Sequence, residues 1–455
     1  MPAFRRQPHQ ETAIVLSDRD ATEQRIHVLY TEAVDQLGSG KVQVRFGGLH
    51  ALERLAQDTP AQRQAVVNVI CAYLRMPFSA TTPDAAEGRN EPGADSEIET
   101  DGTDGTWQQE RQVRLTAQRI LSEHLRDDRT KDHQSAESPN SRFWNNIRLN
   151  LTGATLIDFN LVNGVMAYAN FHRAAFSGDA DFHRAAFAGD ASFSGAAFTG
   201  GARFGGAAFT GDALFGEATF GGDASFPEAA FVGDALFGGV TFSRSAGFRR
   251  AAFGGDAEFR TAAFTGDAWF DKATFTRGAS FGEATFGRDA GFRTAAFTGD
   301  AWFDKATFTR GALFDETAFT GDAWFGEATF GRGASFDRAT FASDAWFGEA
   351  TFTGDAGFGE ATFSGEAWFD RATFTRGALF DEAAFAGNAG FSKAALSGGA
   401  WFSETTFSGG ADALHFEQAR ILSPGASHVW PMGWCLADAD DGGYTVVRAN
   451  HDGGA

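Results

Sequence analysis

From Phe171 to Phe407 the chain carries a nearly unbroken row of phenylalanines at alternating gaps of five and six residues, as in Phe292, Phe297, Phe303, Phe308, Phe314, Phe319, Phe325 and Phe330. The unit is therefore eleven residues, typically FDKATFTRGAL or FGEATFTGDAG. A small residue stands two positions before most Phe, as at Ala295, Ala301, Ala306 and Ala312. A helix of 3.6 residues per turn smears this spacing around its circumference, and a flat strand alternates every second residue. A chain that turns a corner every five or six residues collects it. Each short side then points one Ala and one Phe inward and exposes the residue between them. Coils stack about 4.8 Å apart through backbone hydrogen bonds, and no unit buries its Phe without neighbours.

Four sides of five, six, five and six residues make a coil of twenty-two. Trp302, Trp324, Trp346 and Trp368 recur at that interval, each immediately before a Phe, which predicts one stacked column. Asp190, Asp212, Asp234, Asp256, Asp300, Asp322 and Asp344 share the interval, with Glu366 next in line and Gly278 as the one gap. Half a coil away stand Gly311, Gly333 and Gly377, preceded by Arg310, Arg332 and Arg376, so two opposite corners differ in chemistry. The Gly and Asp of the GDA and RGA strings are expected at corners that need a positive φ.

Upstream the period is a plain five, in Leu151, Leu156, Leu161, Met166 and Phe171, with Ala154, Phe159, Gly164 and Ala169 at the paired positions. This stretch and the Phe repeat resemble the pentapeptide-repeat family, in a Phe-rich subgroup with alternating five- and six-residue units. The resemblance covers more than half of the chain. It implies a mainly β fold, a right-handed quadrilateral β-helix with Phe and Leu filling its centre, joined here to a small α-helical N-terminal region.

Residues 1–20 are expected to be disordered and 21–78 helical. A first helix carries Ile26, Leu29, Tyr30, Val34 and Leu37 and ends at Gly38 and Gly40, and a second carries Val42, Val44, Leu49, Leu52 and Leu55. Thr59 and Pro60 then open a third through Val66, Val69, Ile70 and Leu74. VRFGGLHALERLAQD resembles the HEAT-like segment ahead of the repeats in actinobacterial members of the family. Residues 79–106 hold Ala, Asp, Glu, Gly, Pro and Thr with almost no large apolar side chain, which predicts a disordered acidic linker. A helix and connector follow over 107–142, the solenoid over 143–422 and a C-terminal cap and tail over 423–455. Open solenoid ends expose strand edges and core, so both need covers. The helices through Arg126 with Phe143 and Trp144 are expected at one end, and Trp430, Pro431 and Trp434 at the other.

The net charge of −21 lies mostly on the repeat and disfavours direct nucleic-acid binding. Two distant cysteines, Cys71 and Cys435, offer neither a disulfide framework nor a CxxC site, and no eighteen-residue apolar run or signal peptide is evident. A cytoplasmic protein is expected. No phosphate loop, dinucleotide fingerprint or nucleophile elbow is present, and the repeat carboxylates form a lattice rather than a pair in a cleft. His172 and His183, eleven residues apart, fall on opposite sides of a coil. No enzyme, cofactor or metal is therefore expected.

The candidate binding face is Trp302, Trp324, Trp346 and Trp368 with Asp300, Asp322, Asp344 and Glu366. Stacked carboxylates repel by about 0.9 kcal/mol per neighbouring pair before screening. Duplication also creates such ladders, since FRTAAFTGDAWFDKATFTRGA occurs at Phe259 and again at Phe292. The expected function is a non-catalytic protein–protein interaction scaffold for an unidentified protein partner. The alternative comes from resemblance to the quinolone-resistance members of the family, which implies an acidic DNA mimic that binds DNA gyrase or topoisomerase. Arg288, Arg310, Arg332 and Arg376, on the corner opposite the Asp ladder, weigh against a duplex-like charge pattern.

Overall fold

Four short strands recur in each coil. In one they are Ala301–Trp302, Thr307–Phe308, Gly311–Leu313 and Ala318–Phe319, and the next coil opens with Ala323–Trp324. The computed structural model describes residues 7–79, 101–127, 142–409, 413–439 and 443–449. Each strand pairs in parallel with the one a coil further on, as in Thr307↔Thr329 and Ala318↔Thr340. The result is a four-walled β-solenoid. One wall has 13 strands and another 12, while the remaining two join through the long early strand Ala175–Asp181. Walls alternate in polarity: Ala301 and Phe303 donate to Asp322 and Trp324 of the following coil, whereas Thr307 and Thr309 donate back to Ala284 and Phe286.

Burial follows the sequence pattern. Ala301 and Phe303 are fully buried while Trp302 between them is half-buried. Phe292 stacks on Phe314 at 4.8 Å and 2°, and meets Phe303 edge-on at 5.4 Å and 89°. Both arrangements suit the ring quadrupole, and each fully buried Phe contributes about 1.5–3 kcal/mol over its exposed state. Alanine beside each Phe leaves room for rings of successive coils to stack without a gap.

The corners depart from expectation. Positive φ falls mostly in the five-residue gap, two positions after a Phe, at Glu283 (59°), Lys305 (58°), Glu327 (55°) and Glu349 (61°) among others, while of the described GDA glycines Gly178 alone takes it, at 78°. Ala306 N–H bonds to Phe303 O at 3.0 Å, closing a turn that puts Lys305 at its third, left-handed position. Lys305 N–H also bonds to Gly326 O at 2.9 Å. Two bonds thus hold a conformation that costs a non-Gly residue about 1 kcal/mol. The other glycines of the GDA strings serve another purpose. A Cβ on Gly321 would lie 2.6 Å from the carbonyl carbon of Gly299 in the coil before, so glycine lets the two backbones touch.

Coil length drifts at both ends. The first rung pairs Arg148 with Tyr168, Val165 pairs with Ala186, and the full spacing is reached at Ala169↔Ala191. At the far end Ala389 pairs with Leu414 and Ala400 with His428. The last parallel rung, His428–Val429, therefore lies past residue 422, where the solenoid was expected to end. Trp430 packs on Phe402 and Phe416, Trp434 on Phe416, and an antiparallel hairpin of Trp434–Asp438 and Tyr444–Arg448 follows.

Among the described residues four helices precede the solenoid: α1 (Gln7–Leu37), α2 (Val42–Asp58), α3 (Arg63–Leu74) and α4 (Asp101–Leu125), with a 3-10 turn at Pro60–Gln62. α1 begins at Gln7 rather than Ala21, since no Gly or Pro interrupts the sequence between His9 and Leu37. α4 begins at Asp101, inside the stretch expected to be linker. Its Trp107 stacks on Phe78 at 6.1 Å and donates to Ser79 O at 2.9 Å, which ties the start of α4 to the end of the α3 segment. The rest of that expected linker, 80–100, and the connector segment 128–141 lie outside the described residues, as do 1–6 and 450–455 of the tails.

Leu49, Leu52, Val66, Ile70, Val113, Ile120 and Leu121 are all fully buried, and their core runs without a break through Trp144 and Ile147 into Leu149 and Leu151. Gly48 allows α1 and α2 to meet, because a Cβ there would lie 2.7 Å from Ala33 O. Arg114, 1% exposed, caps α3 by donating to Leu74 O at 3.0 Å and Met76 O at 2.8 Å.

Candidate functional site

The outward position of one wall runs Glu258, Ser280, Trp302, Trp324, Trp346, Trp368 and Gly390 in consecutive coils. All four predicted tryptophans therefore share one column. Trp324 and Trp346 stack at 5.1 Å and 5°, and Trp346 and Trp368 at 6.0 Å and 26°. Trp302 turns the other way and lies over Gly278, where a Cβ would come within 2.9 Å of the indole. That contact accounts for the gap in the Asp ladder. Trp368 covers Gly390 in the same manner. Ring faces are thus occupied, and the column offers indole edges outward. Trp368 Nε1 donates to Glu366 Oε2 at 3.1 Å, whereas Trp346 Nε1 is buried with no partner.

The carboxylates beside this column are engaged by the backbone. Asp300 Oδ1 accepts from Asp322 N–H at 3.0 Å, Asp322 from Asp344 N–H at 3.2 Å, and Asp344 from Glu366 N–H at 2.9 Å. Asp190, Asp212, Asp234 and Asp256 do the same further down, the last to Gly278 N–H. At this corner the backbone N–H points along the solenoid and needs an acceptor, and the side chain one coil earlier supplies it. Charge-assisted bonds of this kind offset the repulsion along the ladder. The Asp ladder is therefore part of the solenoid's own structure as well as an edge of the wall.

A second set of charged residues was not singled out from the sequence. The left-handed corner residues carry both signs, and several pair between coils: Lys305 with Glu327 at 3.6 Å, Arg371 with Glu349 at 2.8 Å, and Arg338 with both Glu316 at 3.0 Å and Glu360 at 3.8 Å. The eleven-residue recurrence of charged residues two positions after Phe was the available signal. The tryptophans border two open grooves, one with these left-handed corners and one with the Asp-ladder corner. One, about 620 Å³, is lined by Trp346, Trp368, Glu327, Glu349, Arg371 and Lys393, and the other, about 400 Å³, by Asp256, Glu258, Gly278, Asp300 and Trp302. Asp304, next to this corner, is pushed up from the ordinary carboxylate range by burial, against the bond from Gly326 N–H.

Among the described residues, no three His, Cys, Asp or Glu side chains converge as metal ligands do. No described helix is long and apolar enough to cross a membrane. No curated protein and no solved structure matches the chain. The family model described as pentapeptide repeats matches in nine overlapping copies, 166–208, 204–252, 237–285, 248–296, 270–318, 292–340, 314–362, 336–384 and 369–412. With that match spanning more than half of the sequence, and with four short walls per coil beneath it, the chain belongs to the pentapeptide-repeat family.

Proposed function

We propose that this protein is a non-catalytic, cytoplasmic scaffold whose rigid rod presents the Trp302–Trp324–Trp346–Trp368 wall to a protein partner. The observation that carries the reading is the column of four half-buried tryptophans, three of them stacked, on a backbone fixed by hydrogen bonds in every coil. Tryptophan is enriched among residues that dominate protein–protein binding energy, and a pre-ordered surface loses little entropy on association. Asp300, Asp322, Asp344 and Glu366 form the polar rim of this wall. A duplex-like rod needs free carboxylates along two faces. Here the ladder carboxylates accept backbone bonds and many left-handed corner charges are paired, which supports the scaffold over the gyrase-binding mimic.

The test is a pull-down from the protein's own cells, followed by reconstitution of the captured protein with purified rod. Trp324→Ala with Trp346→Ala weakens the reconstituted complex at least ten-fold, while Trp269→Ala, on the opposite wall, leaves it intact. Equal binding by both variants overturns the reading. A gyrase supercoiling assay decides the alternative: dose-dependent inhibition, lost in Asp300→Asn/Asp322→Asn/Asp344→Asn, replaces the scaffold with the mimic. Asparagine keeps the backbone acceptor, so that variant changes charge without removing the ladder.

A further inference from the structure

The wall opposite the tryptophans carries a ridge of cations that the fold itself does not use. Residues 244, 288, 310, 332 and 376 occupy one position of successive coils and are all arginine, with Gly266 and Gly354 in the two coils between. All five are exposed. Many arginines elsewhere on the rod have carboxylate partners, as in Arg250 with Glu228 at 3.4 Å, Arg260 with Glu283 at 2.7 Å and Arg293 with Asp315 at 3.1 Å. Among the described residues, none of Arg244, Arg288, Arg310, Arg332 or Arg376 has an acidic oxygen within ion-pairing distance. The acids next to the ridge are turned inward along the backbone: Asp223 accepts from Ser245 N–H, Asp289 from Gly311 N–H and Asp355 from Gly377 N–H.

We propose that this ridge docks an extended acidic segment of a partner protein. The choice of residue points to oxyanions. The column holds arginine or glycine from Gly178 to Gly398 and never lysine, whereas the left-handed corners mix Lys272, Lys305 and Lys393 with arginine. Arginine's planar fork matches a carboxylate in two hydrogen bonds, which lysine cannot do. Gly266 opens a notch of about 350 Å³ between Arg244 and Arg288, lined by Ser243, Ser245 and Thr265 and by Asp223 and Asp267, whose Oδ1 atoms accept from the N–H groups of Ser245 and Asp289.

Charge density selects the kind of anion. Seven coils place the five guanidiniums along about 29 Å. An extended strand presents same-face side chains about every 6.7 Å, so about four or five carboxylates fit that length, one for each arginine. A nucleic-acid duplex brings about one charge per 1.7 Å, roughly seventeen over the same distance, against a protein of net charge −21. The peptide matches and the duplex does not. This inference rests on the scaffold reading for its partner, but it concerns the other wall and is tested without the tryptophans.

The experiment is fluorescence anisotropy with the full chain and a labelled ten-residue peptide of alternating Glu and Thr. Comparison ligands are the Gln–Thr peptide and a ten-nucleotide single-stranded DNA. The Glu peptide is expected to bind in 50 mM salt and to dissociate in 500 mM, while the Gln peptide fails to bind. Arg288→Gln/Arg310→Gln/Arg332→Gln weakens binding at least ten-fold, and Arg310→Glu alone weakens it measurably. A control in two paired arginines, Arg250→Gln/Arg371→Gln, binds as the unaltered chain does, and circular dichroism confirms that each variant is folded. Absence of Glu-peptide binding in low salt, full binding by the ridge variants, equal loss in the control, or tighter binding of DNA than peptide each overturns the proposal. A rod that loses the peptide yet keeps a tryptophan-dependent partner separates this result from failure of the scaffold reading.

Discussion

Gln118 of α4 and Ile157 of the first coil exchange two hydrogen bonds: Gln118 Nε2 donates to Ile157 O at 2.7 Å, and Gln118 Oε1 accepts from Ile157 N–H at 2.9 Å. A side-chain amide thus stands where the first strand lacks a neighbour. Gln64 of α3 does the same for Arg148 on another wall, at 2.8 and 2.9 Å. Two glutamines on two helices therefore pair edge groups that would otherwise invite another strand.

Replacing Gln118 by Ala leaves a buried donor and a buried acceptor unpaired, and should cost the N-terminal unit about 2–4 kcal/mol. Gln64→Ala, whose bonds are exposed to water, should cost about 1 kcal/mol or less. Urea unfolding followed by helical circular dichroism checks both values. Similar midpoints for the two variants would count against the edge-pairing role of Gln118.

The Asp ladder makes a prediction that separates structure from recognition. Asp300→Ala/Asp322→Ala/Asp344→Ala removes three acceptors from backbone N–H groups, at about 0.5–1.5 kcal/mol each. The corresponding Asn variant retains the acceptors and also relieves like-charge repulsion, so its stability should stay within about 1 kcal/mol of the parent. Thermal melts of the two triple variants decide the matter. Equal destabilisation of both would mean that the ladder's charge, not its hydrogen bonding, stabilises the corner.

Much of this was legible because a solenoid repeats its local rules. The alternation of five and six residues defines the coil, and the tryptophan interval checks it independently, so Trp302 to Trp368 could be placed in one column. Which corner takes positive φ was not legible. Gly321 looked like the left-handed residue, but its lack of a side chain answers to Gly299 in the previous coil, a contact twenty-two residues away. Lys305, which does take the left-handed turn, varies freely among Lys, Glu, Arg and Thr at its equivalents and so carries no compositional mark. Gln64 and Gln118 were equally silent, since one glutamine on a helix has no period. The Asp ladder was visible as a column, while its bonding to the next coil's N–H groups needed the backbone direction at that corner.

The two cysteines should differ sharply in reactivity. Burial pushes the Cys71 thiol up to about 12, so its thiolate is scarce at neutral pH, whereas Cys435 is exposed on the terminal hairpin. Only the thiolate is a good nucleophile. Alkylation of the native chain with iodoacetamide at pH 7.5 should label Cys435 alone by peptide mass mapping, with Cys71 appearing only in denaturant. Rapid native labelling of Cys71 would mean that α3 opens from the cap far more readily than its packing suggests.

Acid should loosen the N-terminal cap through Glu53. Burial pushes this carboxyl up, yet hydrogen bonds from His124 and His50 and the attraction of the two rings together hold it below its ordinary value. His124 Nε2 lies 2.9 Å from Glu53 Oε1 and its Nδ1 2.6 Å from Arg142 O, so both ring nitrogens face acceptors, and the ring stacks on Trp144 at 4.0 Å. The cluster joins α2, α4 and the entry to the first coil. A carboxyl whose folded pKa is depressed stabilises the fold above its unfolded value, here 4.5, and that contribution fades as pH falls through the lower folded value. The urea midpoint of the helical signal should therefore drop between pH 6 and pH 3. In Glu53→Gln the drop should shrink, because the amide does not titrate, and the midpoint at pH 6 should already be lower because the charge-assisted bond to His124 is gone. An identical pH profile in the variant would place the acid sensitivity elsewhere among the carboxylates.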